Sequence, residues 1–224
     1  MFRLILFDID GTLISTDGAG VKAFAAVFDE IFGLPGATEN ITFAGRTDRG
    51  LIRDIFAAND LEPTDQNFRK FEDAYFEHLA RYLPQGQTDP LPGVWDFMNA
   101  FRELDPPPVM GLLTGNHERG AELKLAHYGL WQEFAMGAFG GQYQDRAEVA
   151  RDALLQGEKL IAGLQPGEIL VIGDTERDIQ CARAIGARVL AVATGANTVS
   201  ELESFGPDWV TEDLAQINPR ELTL

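Results

Sequence analysis

The sequence predicts an α/β protein, a parallel sheet covered by helices and interrupted by an all-helical insert. Five short runs rich in Leu, Val and Ile, none of them cleanly alternating, read as strands buried on both faces. Between the last four runs, apolar residues recur at helical spacing, so strand and helix alternate as they do in a parallel sheet. The stretch from about Ser15 to about Asp89, in contrast, carries helical patterns and no strand.

The first run, Leu4 to Phe7, ends in Asp8-Ile9-Asp10-Gly11-Thr12. Helical patterns then follow in the insert: Phe24, Val27, Phe28 and Ile31; Leu51, Ile52, Ile55 and Phe56; and Phe68, Phe71, Tyr75, Phe76 and Leu79. Gly18 and Gly20 bound this interval on one side, and Pro84, Gly86, Pro90, Pro92 and Gly93 on the other. The expected division is a core of residues 1–15 and 90–224 with a helical cap of residues 16–89; the alternative is that these helices cover one face of the sheet. The remaining runs are Val109 to Leu113, Phe134 to Phe139, Ile169 to Ile172 and Val189 to Ala193. Leu123, Leu125 and Tyr128 precede the third run in helical register, Val149, Ala153, Leu154 and Ile161 the fourth, and Ile179, Ala182 and Ile185 the fifth.

Composition narrows the function. The 224 residues include 18 Lys plus Arg against 35 Asp plus Glu, a net charge of −17. So acidic a chain repels phosphate backbones and anionic lipid, so neither nucleic acid nor a membrane is an expected partner. A small anionic substrate, which responds to local fields, stays open. With 45% hydrophobic residues there is ample material for a packed core. Cys181 is the only cysteine, so neither an intrachain disulfide nor a thiolate zinc site can form. The apolar run before Asp8 is too short for a signal-peptide core, and a soluble cytoplasmic protein is expected. The oligomeric state is left open.

Chemistry gathers at the strand ends. Asp8 and Asp10 stand where an open α/β sheet places its ligand site. Their mutual repulsion calls for a nearby cation or a bound proton; taken alone, Asp-x-Asp-Gly is equally an ordinary turn. Thr114-Gly115-Asn116 closes the second run before a helix, a phosphate cradle or a plain helix cap. Asp174 and Asp178, four apart at the end of the fourth run, can approach one point above the sheet. Three such strand ends in one sheet converge on one site.

These residues resemble the haloacid dehalogenase superfamily, specifically its phosphatases with a helical cap of the C1 type, and among those the phosphoglycolate phosphatases. The first motif resembles Asp8-Ile9-Asp10-Gly11-Thr12, the second Thr114, and the fourth Gly173-Asp174 with Asp178, so the likeness covers nearly the whole chain. It implies a Rossmann-like core, with Asp8 as nucleophile and Asp10 as general acid and base. It also implies magnesium held by Asp8, the main-chain carbonyl of Asp10 and Asp174, with Asp178 in support.

The family's third motif is usually a lysine. Of Lys22, Lys70, Lys124 and Lys159, the last is late in a helix and too near Asp174, and Lys124 lies within the helix after the second motif. Arg146, beyond the third strand at the start of a helix, is preferred to Arg151; its fixed charge can neutralise Asp8 and clamp a phosphoryl oxygen.

The chemistry needs this set. A carboxylate nucleophile divides a very slow hydrolysis into two steps through an aspartyl-phosphate. A hard divalent ion offsets the repulsion between anionic nucleophile and anionic phosphoryl group, while Thr114, with Gly115 and Asn116 beside it, offers donors to the phosphoryl oxygens. In the insert, Arg46, Arg49 and Arg53 are spaced as one basic helix face, on which Arg46 could meet an anionic leaving group; pairing with Asp48 and Asp54 is the alternative. His117 follows Thr114 closely and is given no role. The expected activity is magnesium-dependent hydrolysis of a small phosphorylated metabolite. The alternatives are a sugar-phosphate mutase resembling β-phosphoglucomutase and, in another class, a catalytically silent regulatory or scaffolding protein.

Overall fold

The computed structural model describes residues 1–83 and 89–222. Pro84 and Gly86, two of the expected boundary residues of the insert, lie outside the described residues. Among those described, six strands form one parallel sheet: β1 (Leu4–Phe7), β2 (Val109–Thr114), β3 (Met136–Phe139), β4 (Ile169–Gly173), β5 (Arg188–Val192) and β6 (Trp209–Thr211). Their order, β3-β2-β1-β4-β5-β6, places the topological switch between β1 and β4, where an open sheet of this kind leaves a crevice beyond its carboxyl ends. Strand β6 adds one element to the five expected. It is three residues long and only half-buried, so it lacks the apolar run that marks the others.

The sheet is covered on both faces, which accounts for strands without polar alternation. Ile5 and Phe7 of β1 join Leu170 and Ile172 of β4 in one core cluster, while Leu4 and Leu6 join Ile169 and Val171 in the other. The first face receives α4 (Val94–Arg102) and α5 (Glu118–His127), through Phe97 and Phe101 and through Leu125. The second receives α6 (Arg146–Leu160) and α7 (Glu176–Ala184), through Val149 and Ala153 and through Ile179 and Ala182. A last short helix, α8 (Val199–Ser204), lies between β5 and β6.

Helices α1 (Ala19–Phe32), α2 (Asp48–Ala58) and α3 (Asp65–Tyr82) occupy the expected insert and build a third, separate cluster. Thr47 and Thr64 accept main-chain N–H bonds at the starts of α2 and α3, satisfying donors that a helix start otherwise leaves free. The cluster is aromatic at its centre: the Phe71 ring lies 4.8 Å from Phe24 and 5.1 Å from Phe28. No described helix is long and apolar enough to cross a membrane.

Phe71 is fully buried at that centre, so Phe71→Ala is expected to cost about 3–5 kcal/mol of stability. Urea denaturation followed by far-UV circular dichroism measures the loss, and a cost under about 1 kcal/mol would show that the helical cluster adds little to the fold.

Candidate active site

Strands β1 and β4 end side by side, and the main-chain N–H of Asp8 donates to the carbonyl of Ile172, 2.9 Å away. That pairing brings Asp8, Asp174 and Asp178 together: each offers a carboxylate oxygen, and the three oxygens lie within 4.8 Å of one another. All three residues are buried. Gly11, with φ of +82°, turns the chain directly beneath Asp174, and a Cβ there would overlap that carboxylate.

One guanidinium stands against the three carboxylates. Nη2 of Arg146 is 2.9 Å from Oδ1 of Asp8 and 2.5 Å from Oδ1 of Asp178, and it also donates to the carbonyl of Leu113. Arg146 opens α6, whose start is fixed by reciprocal bonds between Asp145 and Glu148. Burial works against its charge, yet Asp178 and Asp8 hold its pKa above the ordinary value. The second oxygen of Asp178 accepts from the N–H and the hydroxyl of Thr175, so this side chain is spent on positioning.

Asp8 and Asp174 are under-compensated. Burial pushes the Asp8 carboxyl up to about 6; Arg146 opposes the shift, while Asp178 and Asp10 add to it. Burial, then Asp178 and Asp8, push Asp174 well above the usual carboxylate range, against the pull of Arg146. A cluster of oxygen donors carrying more negative charge than its one arginine can cancel suits a hard divalent cation, and Asp8 and Asp174 are the residues free to hold it.

A second charged group lies beside the first. Nζ of Lys124 is 2.6 Å from Oδ2 of Asp10 and 2.7 Å from Oδ1 of Asn116. The Asn116 amide donates to Asp10 at 2.8 Å and to the Thr114 hydroxyl at 2.8 Å. Asp10 keeps an open side chain, while Lys124 is buried. Its place within the helix after the second motif does not by itself bring Lys124 to the site; what marks it is that it stands on the buried side of α5 with Ala121 and Leu125, where a lysine needs a carboxylate partner.

The residues expected at the site border one cavity of about 300 Å³: Asp8, Asp10, Arg46, Thr114, Gly115, Asn116, Arg146 and Asp174 line it, and Asp178 stands behind. Residues of the helical insert line its other side and dock onto the core beside it. The Asp48 N–H donates to the Gly115 carbonyl at 2.8 Å, the Thr47 hydroxyl to the Gln144 carbonyl at 2.9 Å, and the His117 N–H to Asp48 Oδ2 at 2.7 Å. A side chain at Gly115 would collide with the Arg46 carbonyl. Asp48, at the start of α2, was expected only as a pairing partner for the arginines; it is a buried strut between insert and core, its carboxyl pushed up to about 6 by burial against the pull of Lys124. His117 caps α5 and packs against Phe76.

The expected basic face does not form. Arg46 precedes α2 and pairs with Asp54, Arg49 stacks on Phe68 near Asp65 and Glu72, and Arg53 reaches Gln144. For Arg46 the alternative reading, pairing with Asp54, is the one observed, while Arg49 and Arg53 find partners on α3 and at Gln144.

Comparison with known proteins agrees with this geometry. Residues 5–192 match the family of haloacid dehalogenase-like hydrolases. The chain is 28% identical over 221 residues to a phosphoglycolate phosphatase of Chromobacterium violaceum, covering 96% of this chain and 94% of the relative. It is 30% identical over 212 residues to a phosphoglycolate phosphatase of Synechococcus elongatus, covering 94% and 92%. A solved structure of a predicted phosphoglycolate phosphatase from Haemophilus somnus, 22% identical, has the same fold, with a TM-score of 0.74 over 99% of this chain and 98% of the other.

The raised Asp8 pKa fixes a sign. Folding favours the protonated acid, so stability is lost as the pH climbs from 3.8 through about 6, and the full penalty stands above that. In excess chelator, Asp8→Asn is therefore expected to be more stable than the parent at pH 7.5, by up to about 3 kcal/mol. The advantage should fade as the pH falls below about 6. Thermal melts across that range check it, and a variant no more stable at pH 7.5 would mean that Arg146 outweighs burial.

Proposed function

We propose a two-step mechanism and a capped architecture for this chain, which belongs to the haloacid dehalogenase-like hydrolase family and hydrolyses phosphate monoesters. The carrying observation is the convergence of Asp8, Asp174 and Arg146 at the switch between β1 and β4. In the first step an oxygen of Asp8 attacks phosphorus, the ester bond breaks, and the departing alkoxide takes a proton from Asp10. In the second, water attacks the aspartyl-phosphate, Asp10 accepts its proton, and inorganic phosphate leaves Asp8 free. Magnesium, held by Asp8, the Asp10 carbonyl and Asp174, supplies neutralising charge when bound. Arg146 keeps Asp8 ionised and aimed, and Asp178 and Thr175 hold Arg146 and the turn around it. Thr114 and the Gly115–Asn116 turn face the phosphoryl oxygens. Asn116 and Lys124 fix the Asp10 carboxyl beside the leaving oxygen.

Residues 16–89 act as a cap over a core of 1–15 and 90–224. The separate aromatic cluster of α1–α3 and the docking of Thr47 and Asp48 onto Gln144 and Gly115 support this division. Closure excludes bulk water while the aspartyl-phosphate exists and completes the leaving-group side of the site. The names of the relatives make 2-phosphoglycolate the reference substrate. The acidic surface and single buried thiol suit an enzyme of small metabolites in the cytoplasm.

Phosphate release from a panel of phosphorylated metabolites is expected with magnesium and not with excess chelator. Asp8→Asn should lower it at least about 10³-fold, since an amide of the same volume is a poor nucleophile. Arg146→Met should cost about 10²-fold or more. Turnover of the Asp8→Asn protein near the parent rate would reject the nucleophile, and full activity in chelator would reject the metal.

A further inference from the structure

We propose that the alcohol this enzyme releases is uncharged and carries an apolar body, in contrast to a carboxylate-bearing alcohol such as glycolate. The proposal rests on the phosphomonoesterase reading above and narrows its substrate. On the insert side, the cavity that holds Asp8 continues along Val21, Phe24, Phe43, Leu51 and Tyr75. Phe24, Leu51 and Tyr75 are buried. The Phe24 ring stands edge-on to Phe43 at 5.2 Å and to Tyr75 at 4.9 Å, so aromatic packing holds the wall in place.

Every cation among the described lining residues already has a carboxylate. Arg146 is held by Asp8 and Asp178, Arg46 by Asp54, and Lys124 by Asp10, with the Asn116 amide oxygen and the nearby Asp48 carboxylate still engaging it when Asp10 carries the proton for the leaving group. Asp48 adds a buried negative group to the same cavity. A carboxylate on the leaving group would lose its water against this wall and find no unpaired cation, a costly exchange. Apolar atoms meet the opposite balance, and each methylene buried there is expected to raise kcat/KM about fourfold. The cavity of about 300 Å³ lies at the small end of ligand pockets, which bounds the body to something near a single ring.

The test compares three monoesters of unactivated primary alcohols: 2-phosphoglycolate, n-butyl phosphate, which has the same number of non-hydrogen atoms, and 2-phenylethyl phosphate. Phosphate release with magnesium is measured for each. The expected order of kcat/KM places 2-phosphoglycolate last, at least about tenfold below n-butyl phosphate, with 2-phenylethyl phosphate first. A second arm uses Val21→Arg at the exposed rim of the wall, which supplies a cation without a fixed partner. It should raise the 2-phosphoglycolate to n-butyl phosphate ratio about tenfold. Faster turnover of 2-phosphoglycolate than of n-butyl phosphate by the parent protein overturns the proposal and leaves the phosphatase reading standing. An unchanged ratio in Val21→Arg overturns the assignment of selectivity to this wall. No phosphate from these three or from the wider metabolite panel overturns the proposal together with the reading beneath it.

Discussion

The bridge from Arg146 to Asp8 and Asp178 is the constraint on which the site depends. Three carboxylates cannot be buried within a few ångströms of one another without compensating charge, and among the described residues this guanidinium is the one fixed cation that reaches them. Its placement draws on three separate elements. The capping box of α6 sets where the arginine leaves the helix, the end of β2 supplies a carbonyl, and the start of α7 supplies Asp178. The remaining excess of negative charge is what a divalent ion answers, so the strain that burial puts on Asp8 and the capacity of the site for a metal have one origin.

Much of this is legible in the chain itself. Asp8, Asp10, Thr114 and Asp174 each follow a short apolar run, and a parallel sheet brings such strand ends to one edge whatever lies between them. Arg146 was readable for a related reason, since its position just inside a helix start is a local property. Lys124 was not. Its importance comes from the crossing of α5 behind Asp10, a contact between residues more than a hundred apart in sequence. The arginines of the insert failed in the opposite way: their spacing suggested a shared face, but Asp54, Phe68 and Gln144 decide where each one goes. Strand β6 escaped because three half-buried residues at the sheet edge need no apolar run to pair with β5.

On the proposed reading, the insert and the core divide the labour of recognition. The core would meet what every phosphate monoester shares, with charges and hydroxyls held at strand ends. The insert would meet what differs between substrates, with aromatic side chains and a paired arginine. Asp10, Asn116 and Lys124 stand between these regions, and their bonds join the Asp10 carboxyl to α5 and to the turn after β2.

The insert is docked by a small set of contacts near Thr47 and Asp48. The Asp48 amide meets the Gly115 carbonyl, the Thr47 hydroxyl meets the Gln144 carbonyl, the Asp48 carboxylate accepts from the His117 amide, and Gly115 leaves room for the backbone at Arg46. That part of the joint does not involve the side chains of the aromatic wall. Mutations that recolour the wall around Phe43 or Val21 can therefore accumulate without unseating the insert, while Gly115 and Thr47 stay constrained. A lineage descended from this chain could exchange one metabolite for another by drift in a handful of wall positions, keeping both the catalytic floor and the hinge of its evolution intact.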